Sequence, residues 1–154
     1  MHSPIYIFTL ATNYIPDEET LTDLAYCHYD ADYVNHLPDE TIDYKNHLPE
    51  SMRSFFPHVQ INNTQYTISM EDAKNYIEEI INIIKKHNET LSTETFRAWK
   101  NDLKYQLLES TPAFILDGSF YFLPEFTSIL YNTMKYKKTP NLTITLQDVY
   151  DMHC

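Results

Sequence analysis

A single glycine, Gly118, stands in a chain of 154 residues. Phosphate-cradling loops and dinucleotide fingerprints need several glycines, because the backbone must approach the ligand more closely than any side chain permits. Those nucleotide-binding classes are excluded, and so is the G-x-S-x-G elbow of serine hydrolases. Cysteine is almost as scarce. Cys27 and Cys154 stand far apart, and small secreted scaffolds carry more, so both read as reduced thiols in a reducing compartment. No basic stretch followed by an apolar run opens the sequence, so no signal peptide is expected. Apolar runs fall far short of the roughly 18 residues of a membrane span. The expected location is cytoplasmic, and outside a secretory route the sequons at Asn62, Asn88 and Asn141 carry no weight.

Positive charge is the third scarcity. Eleven lysines and arginines face 22 acids, a net charge of −11. The imbalance is concentrated. Residues 17–50 hold ten acids (Asp17, Glu18, Glu19, Asp23, Asp30, Asp32, Asp39, Glu40, Asp43, Glu50) against Lys45 alone, a local −9, whereas residues 71–154 hold twelve acids and nine bases, or −3. Nucleic acid and anionic membranes share this sign and make poor partners. A basic protein is favoured, and the field would speed its capture.

What is present is enough for one globular domain spanning 1–154. A chain of this size buries roughly 68–70% of its unfolded surface without a metal or disulfide staple. Residues 4–12 form an apolar, β-prone run that reads as a strand buried on both faces. Pro16 with Asp17, Glu18 and Glu19 marks a helix start, continued by Leu21, Leu24, Ala25 and His28. A short repeat, Asn35–Glu40 and again Asn46–Ser51, predicts two short helices near 38–46 and 49–56, each opened by Leu-Pro-acid. Residues 59–68 read as a hairpin turning at Asn62-Asn63. Ser69 caps a helix over 70–87 whose stripe is Ala73, Tyr76, Ile77, Ile80, Ile81 and Ile84. A second helix is expected over 92–109, and a hairpin over 114–122 whose Asp117-Gly118 fits a type I′ turn. Another helix, from Pro124 to about Lys137, buries Ile129, Leu130 and Met134. Residues 142–146 form a final strand, and 147–154 a frayed helical turn. Hairpins alternating with helices predict an α+β fold, with a mostly antiparallel sheet of five or six strands and two or three packed helices.

Candidate chemistry is thin. His28, Asp30, Asp32 and His36, followed by Asp39, Asp43, His47 and His58, offer imidazole and carboxylate donors for a divalent metal, and a metal-dependent hydrolase using segment 28–58 is one alternative. No H-E-x-x-H, C-x-x-C or EF-hand spacing supports it, and a solvated acidic segment explains the residues as well. Cys27 has acidic neighbours, a poor setting for a nucleophilic thiol, and it reads as a small buried hydrophobe. Lys135-Tyr136-Lys137-Lys138 is the one basic cluster, placed where a helix C-terminus favours cations and too small for a nucleic-acid footprint.

Thirteen tyrosines are the remaining excess, and Tyr26, Tyr29, Tyr33 and Tyr44 fall inside the acidic segment. Tyrosine supplies rigid contact area with a polar tip, and beside carboxylates it suits lysine and arginine through cation–π contacts and ion pairs. The composition is that of a non-enzymatic, acidic protein-binding inhibitor. The expected form is a bacterial immunity protein that neutralises a basic, nuclease-type toxin by occluding its active cleft. The alternative is a phage-encoded nucleic-acid mimic that blocks a host nuclease or CRISPR effector. The expected partner-binding residues are Asp17, Glu18, Glu19, Asp23, Tyr29, Asp30, Asp32, Tyr33, Asp39, Glu40, Asp43 and Tyr44. No catalytic residue, metal or cofactor is expected.

Overall fold

The computed structural model describes residues 2–10, 15–29, 33–35, 38–104 and 112–153. The opening apolar run forms β1 (His2–Thr9), and Ile5 to Thr9 are all buried. Successive side chains of a strand point to opposite faces, so this strand is covered on both. Tyr6 and Phe8 join one apolar cluster, Ile5 and Ile7 another. After it come α1 (Glu18–Tyr29), β2 (Tyr33–Asn35), α2 (Pro38–Phe55), β3 (Gln60–Asn62), β4 (Gln65–Ser69), α3 (Met70–Asn88), α4 (Phe96–Lys104), β5 (Ala113–Leu116), β6 (Ser119–Phe122), α5 (Leu123–Lys137) and β7 (Asn141–His153).

The fold is α+β. Six strands lie in the order β3-β4-β7-β1-β5-β6, and a seventh, the short β2, pairs with β7. Of the strand pairs among the described residues, only β1 with β5 is parallel. Of the five helices among the described residues, four cover the two faces, and α4 packs on α3. Leu21 and Ala25 of α1 lie in the cluster with Ile5 and Ile7, whereas Leu48 and Met52 of α2, Ala73 of α3 and Phe126, Leu130 and Met134 of α5 lie in the cluster with Tyr6 and Phe8. Helix α1 therefore has one face of the sheet, and α2, α3 and α5 have the other.

Strand β7 corrects the expectation for the tail. Residues 147–153 are not a turn of helix but the continuation of a 13-residue strand, with β1 along one edge and β4, then β2, along the other. The register against β1 shifts between Ile7 and Phe8, and the extra residue, Gln147, donates its amide to the Thr9 hydroxyl at 2.9 Å. Such a bulge breaks the two-residue alternation by which a strand is read. Helix α2 is a second correction. It is one helix of 18 residues with Pro49 inside it. Proline removes the bond to the carbonyl four residues back, but Leu48, Met52 and Phe56 are fully buried on one stripe and carry the helix through.

The second hairpin turns where expected, and the first turns one residue later, at Asn63-Thr64 rather than Asn62-Asn63, because Asn62 pairs with Gln65 in the ladder. Asn63 has a φ of 53°, and Asp117 and Gly118 have φ of 48° and 85°, the double positive φ of a type I′ turn. Gly118→Ala should cost about 1–2 kcal/mol, because a Cβ is disfavoured in this region. Urea unfolding measures it, and an unchanged midpoint would contradict the assignment. Ser69 caps α3 as expected, accepting from the Asp72 N–H at 3.1 Å. Helix α4 starts at Phe96, later than expected, since Ser92 and Thr95 bond each other in the preceding turn and the Trp99 N–H donates to the Thr95 carbonyl. Residues 105–109 of the expected helix lie outside the described residues. Leu130 and Met134 are buried as expected, but Ile129 is partly exposed.

His58 and Asp72 staple the loop before β3 to the start of α3. The buried carboxylate of Asp72 accepts the His58 backbone N–H at 2.8 Å, and its other oxygen lies 2.7 Å from Nδ1 of the exposed ring. This hydrogen bond, then the Asp72 charge, raises the His58 pKa above its ordinary value. A pKa raised in the folded state gives stability that is full below the unfolded value, about 6.5, and lost as pH rises through the folded one. The melting-temperature advantage of the wild type over His58→Gln should therefore be larger at about pH 6 than at about pH 9. An advantage that grows with pH would contradict the staple.

Candidate functional site

Helix α1 presents a face made only of acids, polar groups and an aromatic ring. Its start is fixed by Asp17, whose carboxylate accepts the Thr20 N–H at 2.8 Å, and this bond holds the Asp17 pKa below the ordinary carboxylate range. Glu18 and Glu19 follow in the first turn, where the helix dipole favours anions. Because Leu21 and Ala25 are buried against the sheet, residues roughly half a turn away point outward. Glu19, Asp23, Tyr26 and Cys27 are accordingly exposed, Tyr26 by 66%, and Glu18 is exposed at the helix end. No lysine or arginine interrupts the helix.

A second element contributes charge at the helix start. Tyr150 of β7 packs against the α1 side of the sheet, and its phenol pKa is raised by burial first, then by Asp148, Glu18 and Asp17. Carboxylates from β7 and from the first turn of α1 thus converge on one corner of the molecule. Such a corner attracts and orients a basic surface, and further along α1 the exposed Tyr26 ring offers a flat face for a guanidinium or ammonium group.

The expected binding residues do not all stand here. Asp17, Glu18, Glu19 and Asp23 share α1. Asp43 is exposed on α2, on the opposite face of the sheet. Tyr44, also on α2, serves the fold: its hydroxyl donates to Asp151 at 2.9 Å and its carbonyl accepts from the Tyr6 hydroxyl. The backbone places Tyr29 at the end of α1, Tyr33 in β2 opposite His153, and Asp39 and Glu40 in the first turn of α2, but their side chains lie outside the description, and Asp30 and Asp32 lie outside the described residues. Lys45 of α2 ion-pairs with Asp148 at 3.2 Å, so the lone base of the acidic segment offsets the β7 carboxylate of this corner and leaves Asp17, Glu18, Glu19 and Asp23 as its acids.

Three residues of this surface were absent from the expected set, Tyr26 on α1 and Asp148 and Tyr150 at the corner. Tyr26 was legible in principle, three residues after Asp23 and seven after Glu19 on the face opposite Leu21 and Ala25. Asp148 and Tyr150 were not, because they lie in the tail read as helix. Cys27 is a further correction. It is exposed, since two residues past the buried Ala25 is about 200° around a helix.

Among the described residues no group of three or more His, Cys, Asp or Glu is placed to hold a metal ion. Asp30, Asp32 and His36 lie outside those residues, as does the side chain of His28. No described helix is long and apolar enough to cross a membrane.

Fold and corner together define an α+β protein whose helix α1 exposes acids and no lysine or arginine. No protein-family model matches the chain, and neither does any curated protein or solved structure.

Proposed function

We propose that this protein is a non-enzymatic inhibitor that docks the outward face of α1 onto a basic cleft of a partner protein. One observation carries the reading: Glu19, Asp23 and the 66%-exposed Tyr26 share an exposed helix face without a lysine or arginine, with Glu18 exposed at the helix start. Charge supplies on-rate and orientation, and the aromatic anchor supplies affinity. The particular form is an immunity protein whose partner is a nuclease-type toxin, because a cleft that binds phosphate backbones carries the opposite sign. A nucleic-acid mimic acting on a host nuclease obeys the same physics.

The test is inhibition of cleavage. A nuclease recovered from the host lysate on the immobilised chain is assayed with increasing free chain. Loss of cleavage at one equivalent, abolished by Glu19→Lys with Asp23→Lys, is the expected result. A nuclease that binds yet cleaves at full rate overturns the inhibitor reading.

A further inference from the structure

We propose that the outer stripe of α3 pairs antiparallel with the same stripe of a second copy, giving a two-fold dimer. The first observation is incomplete burial. Helix α3 has 19 residues, but its buried residues are only Asp72 and Ala73 at its start. From Lys74 to Leu103, through the rest of α3 and most of α4, none of the described residues is buried, although five isoleucines, Ile77, Ile80, Ile81, Ile83 and Ile84, fall in that span.

The second observation is the charge order. Lys74, Glu78, Ile81 and Lys85 follow at spacings of four, three and four, which sets them on one side of a helix as the seam of a coiled coil. All four are exposed, and so is Glu89, one turn further on. Reading along the stripe, the order is basic, acidic, apolar, basic, acidic. Run antiparallel to itself, this order is its own complement. Glu78 meets Lys85 of the other copy, Lys74 meets Glu89, and Ile81 falls beside the axis. A parallel arrangement in register would set like charges together. Two-fold symmetry makes every such contact occur twice, as an isologous interface requires. Ile77 and Ile84, half-buried, border the stripe and widen its apolar centre.

Among the described residues, the neighbouring helix α4 packs on another side of α3. Helix α4 is tied to α3 through His87, whose ring stacks on Trp99 at 5.5 Å and whose carbonyl accepts the Trp99 Nε1–H. His87 lies about 200° around the helix from Lys85, on the far side. The stripe is also on the face of the sheet opposite α1, so the dimer leaves both acidic faces outward, and it stands or falls independently of the inhibitor reading.

Sedimentation equilibrium of the full chain at low salt tests the pairing. The expected result is a concentration-dependent monomer–dimer equilibrium that weakens with salt, as rim ion pairs require. Glu78→Lys and Lys85→Glu should each raise the dimer Kd about tenfold or more, and the double variant should regain the wild-type value, because each residue meets the other only across the axis. Ile81→Glu should abolish the dimer, with far-UV circular dichroism confirming unchanged helix content. A wild type monomeric at every concentration overturns the proposal, and so does a double variant as weak as either single one.

Discussion

Phe114→Ala should be among the most damaging single changes in this protein, at about 3–5 kcal/mol. Phe114 is fully buried in β5, where its ring stacks on Phe126 of α5 with centroids 4.4 Å apart and planes at 17°. It also meets Tyr6 at 5.9 Å and Phe8 at 6.3 Å. Those neighbours come from β1 and α5, so the ring joins the centre of the sheet to the helix above it. Truncation loses the transfer free energy of the ring and leaves a cavity that stacked aromatic walls cannot collapse to fill. Such a loss is a large share of the roughly 5–15 kcal/mol that holds a typical domain together. Urea unfolding should show a much lower midpoint with an unchanged slope. Phe114→Leu, which retains most of the volume, should cost clearly less. A Phe114→Ala chain within about 1 kcal/mol of wild type would mean that the stack is not a packed core.

Asp151→Ala is the second large effect, at about 3 kcal/mol. Its side chain is completely buried in β7, and its two oxygens are used by different elements. One lies 2.6 Å from Nδ1 of His2 in β1, and the other accepts the Tyr44 hydroxyl of α2 at 2.9 Å. A buried carboxylate is tolerable only when its oxygens are bonded, and removing it strips two polar groups of their partner at once. Tyr44→Phe removes one of these bonds and should cost about 1–2 kcal/mol. Because the groups form one network, the double variant should lose less than the two single losses added. Strict additivity would show that Asp151 and Tyr44 do not act together.

The same residues show where sequence reasoning reached and where it stopped. Local chemistry was legible. Ser69 caps α3, Asp117 and Gly118 take the positive φ of their turn, and β1 is buried on both faces as an unbroken apolar run implies. Features that depend on distant strands were not. The bulge at Gln147 and the alternation of Asp148 and Asp151 with Val149, Tyr150 and Met152 hide a strand that only β1 and β2 define from outside. Pro49 likewise signals a helix boundary, and its position inside α2 depends on burial of Leu48 and Met52 against the sheet. The candidate site divides in the same way. The acids of segment 17–50 could be counted, but their partition between the two faces of the sheet could not, because it depends on where α1 and α2 pack. Tyr44 illustrates the cost: composition places it in a binding surface, and the fold uses it to hold Asp151.

The most direct test of the account is the salt dependence of association measured with the wild type and with a chain carrying Glu19→Lys, Asp23→Lys and Tyr26→Ser. Both are immobilised, exposed to host lysate at low and at high salt, and the retained protein is identified by mass spectrometry. The account predicts one basic, nuclease-like partner on the wild type, weakened at high salt because charge drives its capture, and absent from the variant. A partner held equally by both chains, or held without regard to salt, would contradict docking through the outward face of α1.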